Sequence, residues 1–394
     1  MLSNTDVMGL KAKRSKWNNI RVLMLLPNWD NTYKQKNIGK LLDELRVRGA
    51  DFYLLCSSSS GTQSFHDKYP SYTLIESREP WPSFKGFWVM LKTLYQIRPD
   101  IVLWTYSGYG ENFVLALLRL LRVGPFYIIK SDSLLPAENG RDSLKNKFTD
   151  FMFFRLPAWF SSLIIVETKE VLSRARDFYG RYPRLYLMPN GVPLNKFMEY
   201  RNIFNCGSAP VQGPFILFTG RVMHSKGVDL LISAFVVIAE KLPTWKLVIV
   251  GPVWEAGYIE DCKNIVSKAG LSDRILFVDY AEGKDLYRWY HFAEIYVLPS
   301  REEGLANRLP EAMYFENPIV AFDVGQTKSM IDESCGVLLP PEDVEGLSCE
   351  ILNLALDEKL RKIKALAARR RIEAAYDDDK LISDFLSVVE ESIL

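Results

Sequence analysis

Hydrophobic and polar residues alternate in blocks along this chain of 394 residues. Short, nearly uninterrupted apolar runs are typical of strands buried on both faces of a parallel sheet, and amphipathic stretches between them are typical of helices. Alternation of the two predicts parallel strands with helices packed on the sheet. In the first half, strands are predicted at Ile20–Leu26, Phe52–Cys56, Ile101–Trp104, Phe126–Lys130, Ser162–Val166 and Leu185–Met188, and helices at Lys36–Arg48, Phe84–Tyr95 and Phe113–Leu121.

The alternation resumes after Asn195–Pro214, a stretch rich in Asn, Gly, Ser and Pro that predicts a linker. We therefore predict an α/β fold of two Rossmann-like, doubly wound parallel-sheet domains, at residues 18–195 and 212–375. The charged segment 376–394 is predicted to form a C-terminal helix that packs back toward the first domain. In the second half, strands are predicted at Phe215–Thr219, Lys246–Val250, Ile275–Val278, Ile295–Leu298 and Pro318–Phe322, and helices at Val228–Glu240, Tyr258–Ala269, Lys284–Phe292 and Arg308–Tyr314.

Composition narrows the classes of protein that fit. Hydrophobic residues make up 48% of the chain and charged residues 25%, which is typical of a folded, soluble protein. No apolar run reaches the roughly 18 residues of a membrane span, and Val22–Leu26 lacks the length and cleavage site of a signal peptide. The cysteines form no C-x-x-C pair, the three histidines are far apart, and Asp377–Asp379 lies between predicted helices. We expect a cytoplasmic protein with no metal or other cofactor.

Two loops that follow predicted strands carry the residues with the clearest chemistry. In the first, Gly220 and Arg221 precede Lys226 and a helix, so a flexible backbone, a helix N-terminus and two cations would suit a diphosphate. A solvated loop with surface cations is the alternative. In the second loop, Glu303 and Glu311 flank a short turn and could accept hydrogen bonds from vicinal hydroxyls. Helix capping by these carboxylates is the other interpretation.

Together these motifs resemble the donor-binding half of glycosyltransferase family 4, a family of retaining enzymes with the GT-B fold, in which the two domains face a central cleft. The resemblance implies the two-domain fold and covers nearly the whole chain, most clearly from Arg184 to Leu339. The residues that carry it are Gly220-Arg221, Lys226-Gly227, Pro299-Ser300, Glu303-Gly304-x-x-Asn307-x-x-x-Glu311-Ala312-Met313, and Pro189-Asn190-Gly191-Val192 with Phe197.

The resemblance implies a role for each residue of the two loops. Arg221 and Lys226 would bind the diphosphate of the donor, Glu311 the ribose hydroxyls, and Glu303 the hydroxyls of the transferred sugar. Arg221, Lys226 and Glu303 would be the catalytic groups, without a metal. Tyr280, after the strand at Ile275–Val278, would lie near the base. Further donor contacts are implied for Gly220 and Gly304 and for the backbone amides of Leu305, Ala306 and Asn307.

Several positions depart from the family pattern. Residues 27–32 replace the glycine-rich loop expected after the first strand, and Ser131 stands before Asp132 where the family has a histidine. Lys130, Asp132 and the loop Asn28–Thr32 are therefore candidate cleft residues without assigned roles. In the second half, Glu316-Asn317 and Gln326 replace glycines, which we interpret as local changes of turn.

The resemblance implies a retaining glycosyltransferase in cell-surface polysaccharide synthesis. It would transfer the sugar of a UDP- or GDP-linked donor to a glycan or lipid-linked acceptor. No nucleic-acid partner is expected. The missing histidine and the altered first loop leave open a catalytically silent partner that binds nucleotide-sugar. Another GT-B enzyme, such as an epimerase or phosphorylase, is the second alternative.

Charge and aromatic residues also bear on where the acceptor lies. Residues 1–195 carry 27 basic and 17 acidic side chains, a net charge of +10. Aromatic residues mix with cations in this half, as in the segment from Trp81 to Arg98, and such mixtures suit a bilayer interface. The hypothesis is a reversible contact with anionic lipid on the inner membrane face. The competing interpretation is one helical stripe packed against the sheet, formed by Phe84, Phe87, Trp88, Leu91 and Tyr95.

Overall fold

The structure is a computed structural model that describes residues 17–26, 37–56, 73–76, 84–104, 125–130, 151, 155–181, 184–303 and 306–393. These residues form two compact units. The first comprises the chain up to Asn190 together with residues 379–394, and the second runs from Gly191 to Asp378.

The first unit is a parallel sheet of seven strands in the order β3-β2-β1-β4-β5-β6-β7. The neighbouring pairs β1 and β2, and β1 and β4, run parallel, which matches the predicted alternation of strand and helix. The short strand β3 was not predicted. The strands are β1 (Arg21–Leu26), β2 (Asp51–Cys56), β3 (Thr73–Glu76), β4 (Ile101–Trp104), β5 (Phe126–Lys130), β6 (Leu163–Val166) and β7 (Leu185–Leu187).

Successive strand residues point to opposite sides of this sheet, so its apolar strands present a hydrophobic face on each side. Helices cover both faces. Met24 and Leu54 belong to one hydrophobic core, whereas Leu23 and Leu55 belong to the other. The predicted helix at Phe113–Leu121 lies outside the described residues. The described helices before the second unit are α1 (Asn37–Arg48), α2 (Phe84–Ile97), α3 (Leu156–Phe160) and α4 (Lys169–Tyr179).

The buried face of helix α2 differs from the aromatic stripe that the sequence suggested for it. Met90 and Leu94 are buried against the sheet, whereas Trp88 is 57% exposed and Tyr95 is 75% exposed. Leu91 is half-buried. The buried face is therefore rotated away from the two aromatic residues, because the flexible side chains of Met90 and Leu94 fill the core.

The second unit is a parallel sheet of six strands in the order β10-β9-β8-β11-β12-β13. Ile216 and Phe218 of β8 point into one core, and Phe215 and Leu217 point into the other. Strand β13 was not predicted. The strands are β8 (Phe215–Thr219), β9 (Lys246–Val250), β10 (Ile275–Val278), β11 (Ile295–Leu298), β12 (Ile319–Phe322) and β13 (Gly336–Leu339).

The predicted linker at Asn195–Pro214 is wrong in its first half, where a helix forms. Phe197 and Phe204 on this helix are buried in the core of the second unit, and their burial outweighs the polar composition around them. The helices of the second part of the chain are α5 (Leu194–Phe204), α6 (Val228–Ile238), α7 (Ala256–Lys268), α8 (Gly283–Phe292), α9 (Arg308–Tyr314), α10 (Thr327–Met330), α11 (Val344–Leu356), α12 (Glu358–Ala375) and α13 (Asp378–Ile393).

From Asp379 onward, α13 belongs to the first unit. Its apolar side chains Ile382, Phe385 and Val389 are buried in the core that also contains Trp17 and Leu41. Helix α13 therefore contributes to the core of the first unit.

Candidate active site

The order of strands in the second unit indicates where a ligand would bind. From β8 the chain adds β9 and β10 on one side, then crosses over to add β11, β12 and β13 on the other side. Connections that leave the neighbouring strands β8 and β11 thus diverge, and ligands of open parallel sheets bind at the carboxyl ends of strands at such a point. Both predicted loops leave the sheet there, since Gly220 follows β8 and Pro299 follows β11.

The two loops are in backbone contact at Gly227. This residue has a φ of +64°, and a Cβ atom built on it would lie 1.9 Å from the carbonyl oxygen of Pro299. Only glycine therefore fits, both for its backbone angle and for the close approach. The Arg301 amide also donates to the Ser225 carbonyl at 2.9 Å. These contacts fix the Lys226 turn against the loop after β11.

The loop after β9 packs against the other end of the β8 loop. The Val222 amide donates to the Pro252 carbonyl at 2.9 Å, and the Trp254 amide donates to the Val222 carbonyl at 3.1 Å. This pairing places the Arg221 guanidinium over the Trp254 ring, 4.4 Å from the ring centroid. A cation over an aromatic face is held by the ring's quadrupole, so Trp254 restricts where the exposed Arg221 side chain points.

Lys226 and Glu303 form an ion pair between the two loops. Lys226 Nζ lies 2.6 Å from Glu303 Oε1, and the two side chains are only 14% and 9% exposed. The buried Ser300 hydroxyl donates to the same carboxylate oxygen at 2.7 Å. An ammonium group and a carboxylate are thus held side by side, where one can bind an anion and the other a neighbouring hydroxyl.

Arg301, which sequence reasoning missed, connects the surroundings of this pair. Its guanidinium binds Asp229 on α6 through two hydrogen bonds of 2.9 and 2.8 Å. It also donates to the His224 carbonyl at 2.9 Å. Burial alone would raise the pKa of Asp229, but hydrogen bonds from Arg301 and Tyr258 lower it below its ordinary value. Asp229 therefore stays ionised, and Arg301 ties the start of α6 to both loops.

Glu311 is held from two sides on α9. Arg308 Nη1 donates to Glu311 Oε2 at 2.9 Å, and the Tyr290 hydroxyl donates to the same oxygen at 3.1 Å. The negative charge of Glu311 is the main cause that raises the pKa of Arg308. Tyr290 Oη also lies 2.6 Å from Oγ1 of Thr219, the last residue of β8. Glu311 is thereby linked to the carboxyl end of β8.

The structure describes only some of the other residues that were predicted to contact the donor. Tyr280 follows the edge strand β10, is 62% exposed, and donates its hydroxyl to Glu282 at 2.5 Å. That hydrogen bond raises the pKa of Tyr280, and the charge of Arg308 opposes the rise. Ala306 is buried and Asn307 immediately precedes α9. Gly304 and Leu305 lie outside the described residues.

In the first unit, Lys130 lies at the carboxyl end of β5 and is buried. Lys130 Nζ is 3.1 Å from Glu167 Oε1, and both side chains are 8% exposed. The same amine donates to the Asn190 side chain at 3.4 Å. Asp132, Ser131 and the loop Asn28–Thr32 lie outside the described residues. Lys130, a candidate cleft residue by sequence, therefore forms a buried ion pair inside the first unit.

A family comparison agrees with this geometry. Residues 213–357, which span β8 to α11, match the family model described as glycosyl transferases group 1. The matched residues include both loops of the candidate site. The predicted resemblance is thus confirmed at the level of group 1, and the narrower assignment to family 4 stays a prediction.

The chain spans less than two thirds of the length of three curated relatives that it matches. The lipopolysaccharide core biosynthesis mannosyltransferase LpsB of Rhizobium meliloti is 32% identical over 231 residues, which are 54% of this chain and 64% of LpsB. The aligned segments span between 45% and 64% of LpsB and two further curated relatives, less than two thirds in each case.

Solved structures resemble the chain along nearly its full length. A glycosyltransferase from Rickettsia africae superposes with a TM-score of 0.78 at 15% identity and covers 96% of this chain and 99% of its own. Anabaena Alr3699/HepE in complex with UDP gives a TM-score of 0.74 at 15% identity, with 95% and 100% covered. At this identity the likeness concerns the fold, and it confirms the predicted GT-B class.

Proposed function

We propose that the protein is a glycosyltransferase that binds a nucleotide-sugar donor at the carboxyl ends of β8 and β11. The observation that carries the proposal is the Lys226–Glu303 pair, in which an ammonium and a carboxylate lie 2.6 Å apart. A sugar linked to a phosphate presents its hydroxyls beside an anion, so one ligand can engage both groups. Arg221 adds a second cation on the same loop, and Glu311 supplies a carboxylate for the ribose.

The donor we propose is a UDP- or GDP-linked sugar. HepE, which shares the fold, was solved with UDP, and LpsB is named a mannosyltransferase. Binding would exchange partners, because Lys226 must turn its charge to the diphosphate as Glu303 accepts a sugar hydroxyl. Ser300 remains as the donor that orients Glu303.

For the reaction we propose a retaining transfer that needs no metal. As the bond between sugar and diphosphate breaks, negative charge grows on the leaving diphosphate, and Arg221 and Lys226 stabilise it electrostatically. The acceptor hydroxyl attacks from the face of the leaving group, and a phosphate oxygen takes its proton. Turnover that survives a chelator is the expected result, since side chains supply the positive charge.

The acceptor we propose is a glycan or lipid-linked precursor of a surface polysaccharide. LpsB is named for lipopolysaccharide core synthesis. On α2, Trp88, Lys92 and Tyr95 are all exposed, and their spacing of about one and two helical turns puts them on one face. Such a face suits reversible docking on the inner membrane surface. Within the described residues, no helix is sufficiently long and apolar to cross a bilayer.

Thermal stability in the presence of nucleotide-sugars tests the donor proposal. A ligand at 100 times its dissociation constant stabilises the folded state by about 2.7 kcal/mol, so a true donor raises the melting temperature clearly. Glu311→Ala should weaken this shift. If no UDP- or GDP-sugar shifts the melting temperature of the unaltered protein, the donor assignment is wrong.

A further inference from the structure

Behind Glu311 lies a buried row of three side-chain hydroxyls. Tyr290 and Tyr296 are 0% exposed and Thr219 is 2% exposed. Thr219 Oγ1 lies 2.6 Å from Tyr290 Oη and 3.1 Å from Tyr296 Oη. Tyr290 in turn reaches Glu311 Oε2 at 3.1 Å. The row therefore runs from β11 through the end of β8 to α8 and ends on the carboxylate of α9.

The carboxylate fixes the direction of these hydrogen bonds. An ionised carboxylate can only accept, so Tyr290 must give its single proton to Glu311. The Tyr290 oxygen then accepts from Thr219, and Thr219 Oγ1 can accept from Tyr296. Burial raises the pKa of both tyrosines, so both keep their protons as donors. The Tyr290 and Thr219 hydroxyls thus point toward Glu311, whereas Tyr296 can donate either to Thr219 Oγ1 at 3.1 Å or to the Thr219 carbonyl at 3.4 Å.

The two oxygens of Glu311 are held unequally. Oε2 accepts from Tyr290 at 3.1 Å and from Arg308 at 2.9 Å. Among the described residues, Oε1 accepts only the longer bond of 3.3 Å from Arg308. A carboxylate oxygen has about two acceptor positions, so Oε1 retains capacity for a ligand hydroxyl.

We propose that Tyr290 is a positioning residue for ribose recognition: its hydroxyl, held by Thr219, anchors Oε2 of Glu311 so that Oε1 faces the ribose hydroxyls. This rests on the proposed function, in which Glu311 binds the ribose. Tyr290 is buried and acts through Glu311, so it affects only the part of affinity that comes from the ribose hydroxyls.

Nucleotides with and without ribose hydroxyls test this directly. The affinities of UDP and GDP, and of their 2′,3′-dideoxy forms, are measured by calorimetry for the unaltered protein and for Tyr290→Phe. The variant is expected to lose roughly tenfold affinity for the ribose form, because a hydrogen bond to a charged group is lost, while affinity for the dideoxy form stays. A merely structural defect would weaken both forms equally.

Tyr314→Phe is the matched control. Tyr314 is also a buried tyrosine, 2% exposed, on the same helix as Glu311, and its ring packs near Phe197. This variant should leave the ratio of ribose to dideoxy affinity unchanged. Thr219→Val, which removes the hydroxyl behind Tyr290 while keeping its shape, should lower the ratio in the same direction and serves if Tyr290→Phe does not fold.

The outcomes separate this inference from the proposed function. An unchanged ratio in Tyr290→Phe or, if that variant does not fold, in Thr219→Val overturns the role of Tyr290. If the unaltered protein binds dideoxy and ribose forms equally, the ribose assignment of Glu311 fails, and if it binds no nucleotide, the donor site itself is refuted.

Discussion

Arg221 and Lys226 supply positive charge in different surroundings. Lys226 is paired with Glu303, whereas Arg221 is exposed and lies against Trp254. Removing either cation should slow turnover by roughly 10²- to 10³-fold, the usual effect of losing one group that stabilises charge in the transition state. The measurement is nucleotide release by Arg221→Ala and Lys226→Ala with a nucleotide-sugar and acceptor.

Lys263→Ala provides the control for these variants. Lys263 lies on α7, is 52% exposed, and pairs only with Glu260 among the described residues, so its removal should leave turnover unchanged. Turnover near the unaltered rate in Lys226→Ala would remove the diphosphate assignment.

Single residues also show what the sequence could and could not predict. Local spacing was enough to propose Arg221, Lys226, Glu303 and Glu311 as candidates, because each follows a strand in a short loop or first turn. Trp254, Arg301 and Tyr290 were missed because their contacts join segments far apart in sequence. A tyrosine in an amphipathic helix pattern carries no local sign that its hydroxyl will reach a carboxylate on another helix.

The replaced glycine at Glu316 has a structural explanation. Glu316 has a φ of +64°, a backbone angle that favours glycine. Its carboxylate accepts hydrogen bonds from Arg201 at 2.9 Å and Arg369 at 2.8 Å, which compensate the strain. Asn317 next to it donates to the Tyr290 and Ala293 carbonyls, both at 3.0 Å. The turn formed by Glu316 and Asn317 thus caps the C-terminal end of α8 through the Asn317 side chain.

Among the elements, the two loops and α6 depend on Arg301. Arg301→Lys keeps the charge but loses the two-pronged bond to Asp229, so it should lower the free energy of unfolding by about 1.5–3 kcal/mol. It should also weaken nucleotide binding, because Lys226 and Glu303 lose their support. Urea unfolding and nucleotide titration measure the two effects.

Arg361 offers a matched control for Arg301. Its side chain is 12% exposed, close to the 14% of Arg301, and it also binds a carboxylate, Glu294, and backbone carbonyls. Arg361→Lys should destabilise the second unit without changing nucleotide affinity. Equal loss of affinity in both variants would show that general destabilisation, not loop support, is the cause.

The link between α6 and the loop after β11 should depend on pH. Because the pKa of Asp229 is lowered in the folded state, its stabilising effect is present above the unfolded pKa of about 3.9 and is lost as pH falls through the lower folded value. The unfolding free energy of the unaltered protein should therefore exceed that of Asp229→Asn at pH 7. The difference should shrink below about pH 4, and a constant difference would contradict the ion pair.

Strands and helices were predictable to different degrees. The continuous apolar runs predicted every strand of the second sheet except β13 (Gly336–Leu339), which begins with a glycine, a residue that weakens a strand pattern. The helix α5 was missed because Asn and Gly around it suggested a linker, while Phe197 and Phe204 decide its burial. On α2, apolar spacing alone could not distinguish a buried from an exposed aromatic face.

For the whole molecule, the exposed face of α2 with Trp88, Lys92 and Tyr95 leads to a prediction about membranes. The unaltered protein should sediment with liposomes containing anionic lipid at low salt and less at high salt, since each basic residue near the surface contributes about 1 kcal/mol. Lys92→Gln with Trp88→Ser should reduce sedimentation. Lys241→Gln, on the second unit, is the control that should not. Absence of sedimentation at low salt would favour a soluble acceptor.

The proposed function requires that the second unit activates a nucleotide-sugar for transfer. It is tested most directly by incubating the protein with UDP- and GDP-sugars, with and without glycan or lipid-linked acceptors, and measuring nucleoside diphosphate and glycosylated product together. We expect equal amounts of both products, formed with one class of donor and strongly reduced in Lys226→Ala. Binding of donor without any release of nucleotide under all conditions would instead indicate a catalytically silent partner.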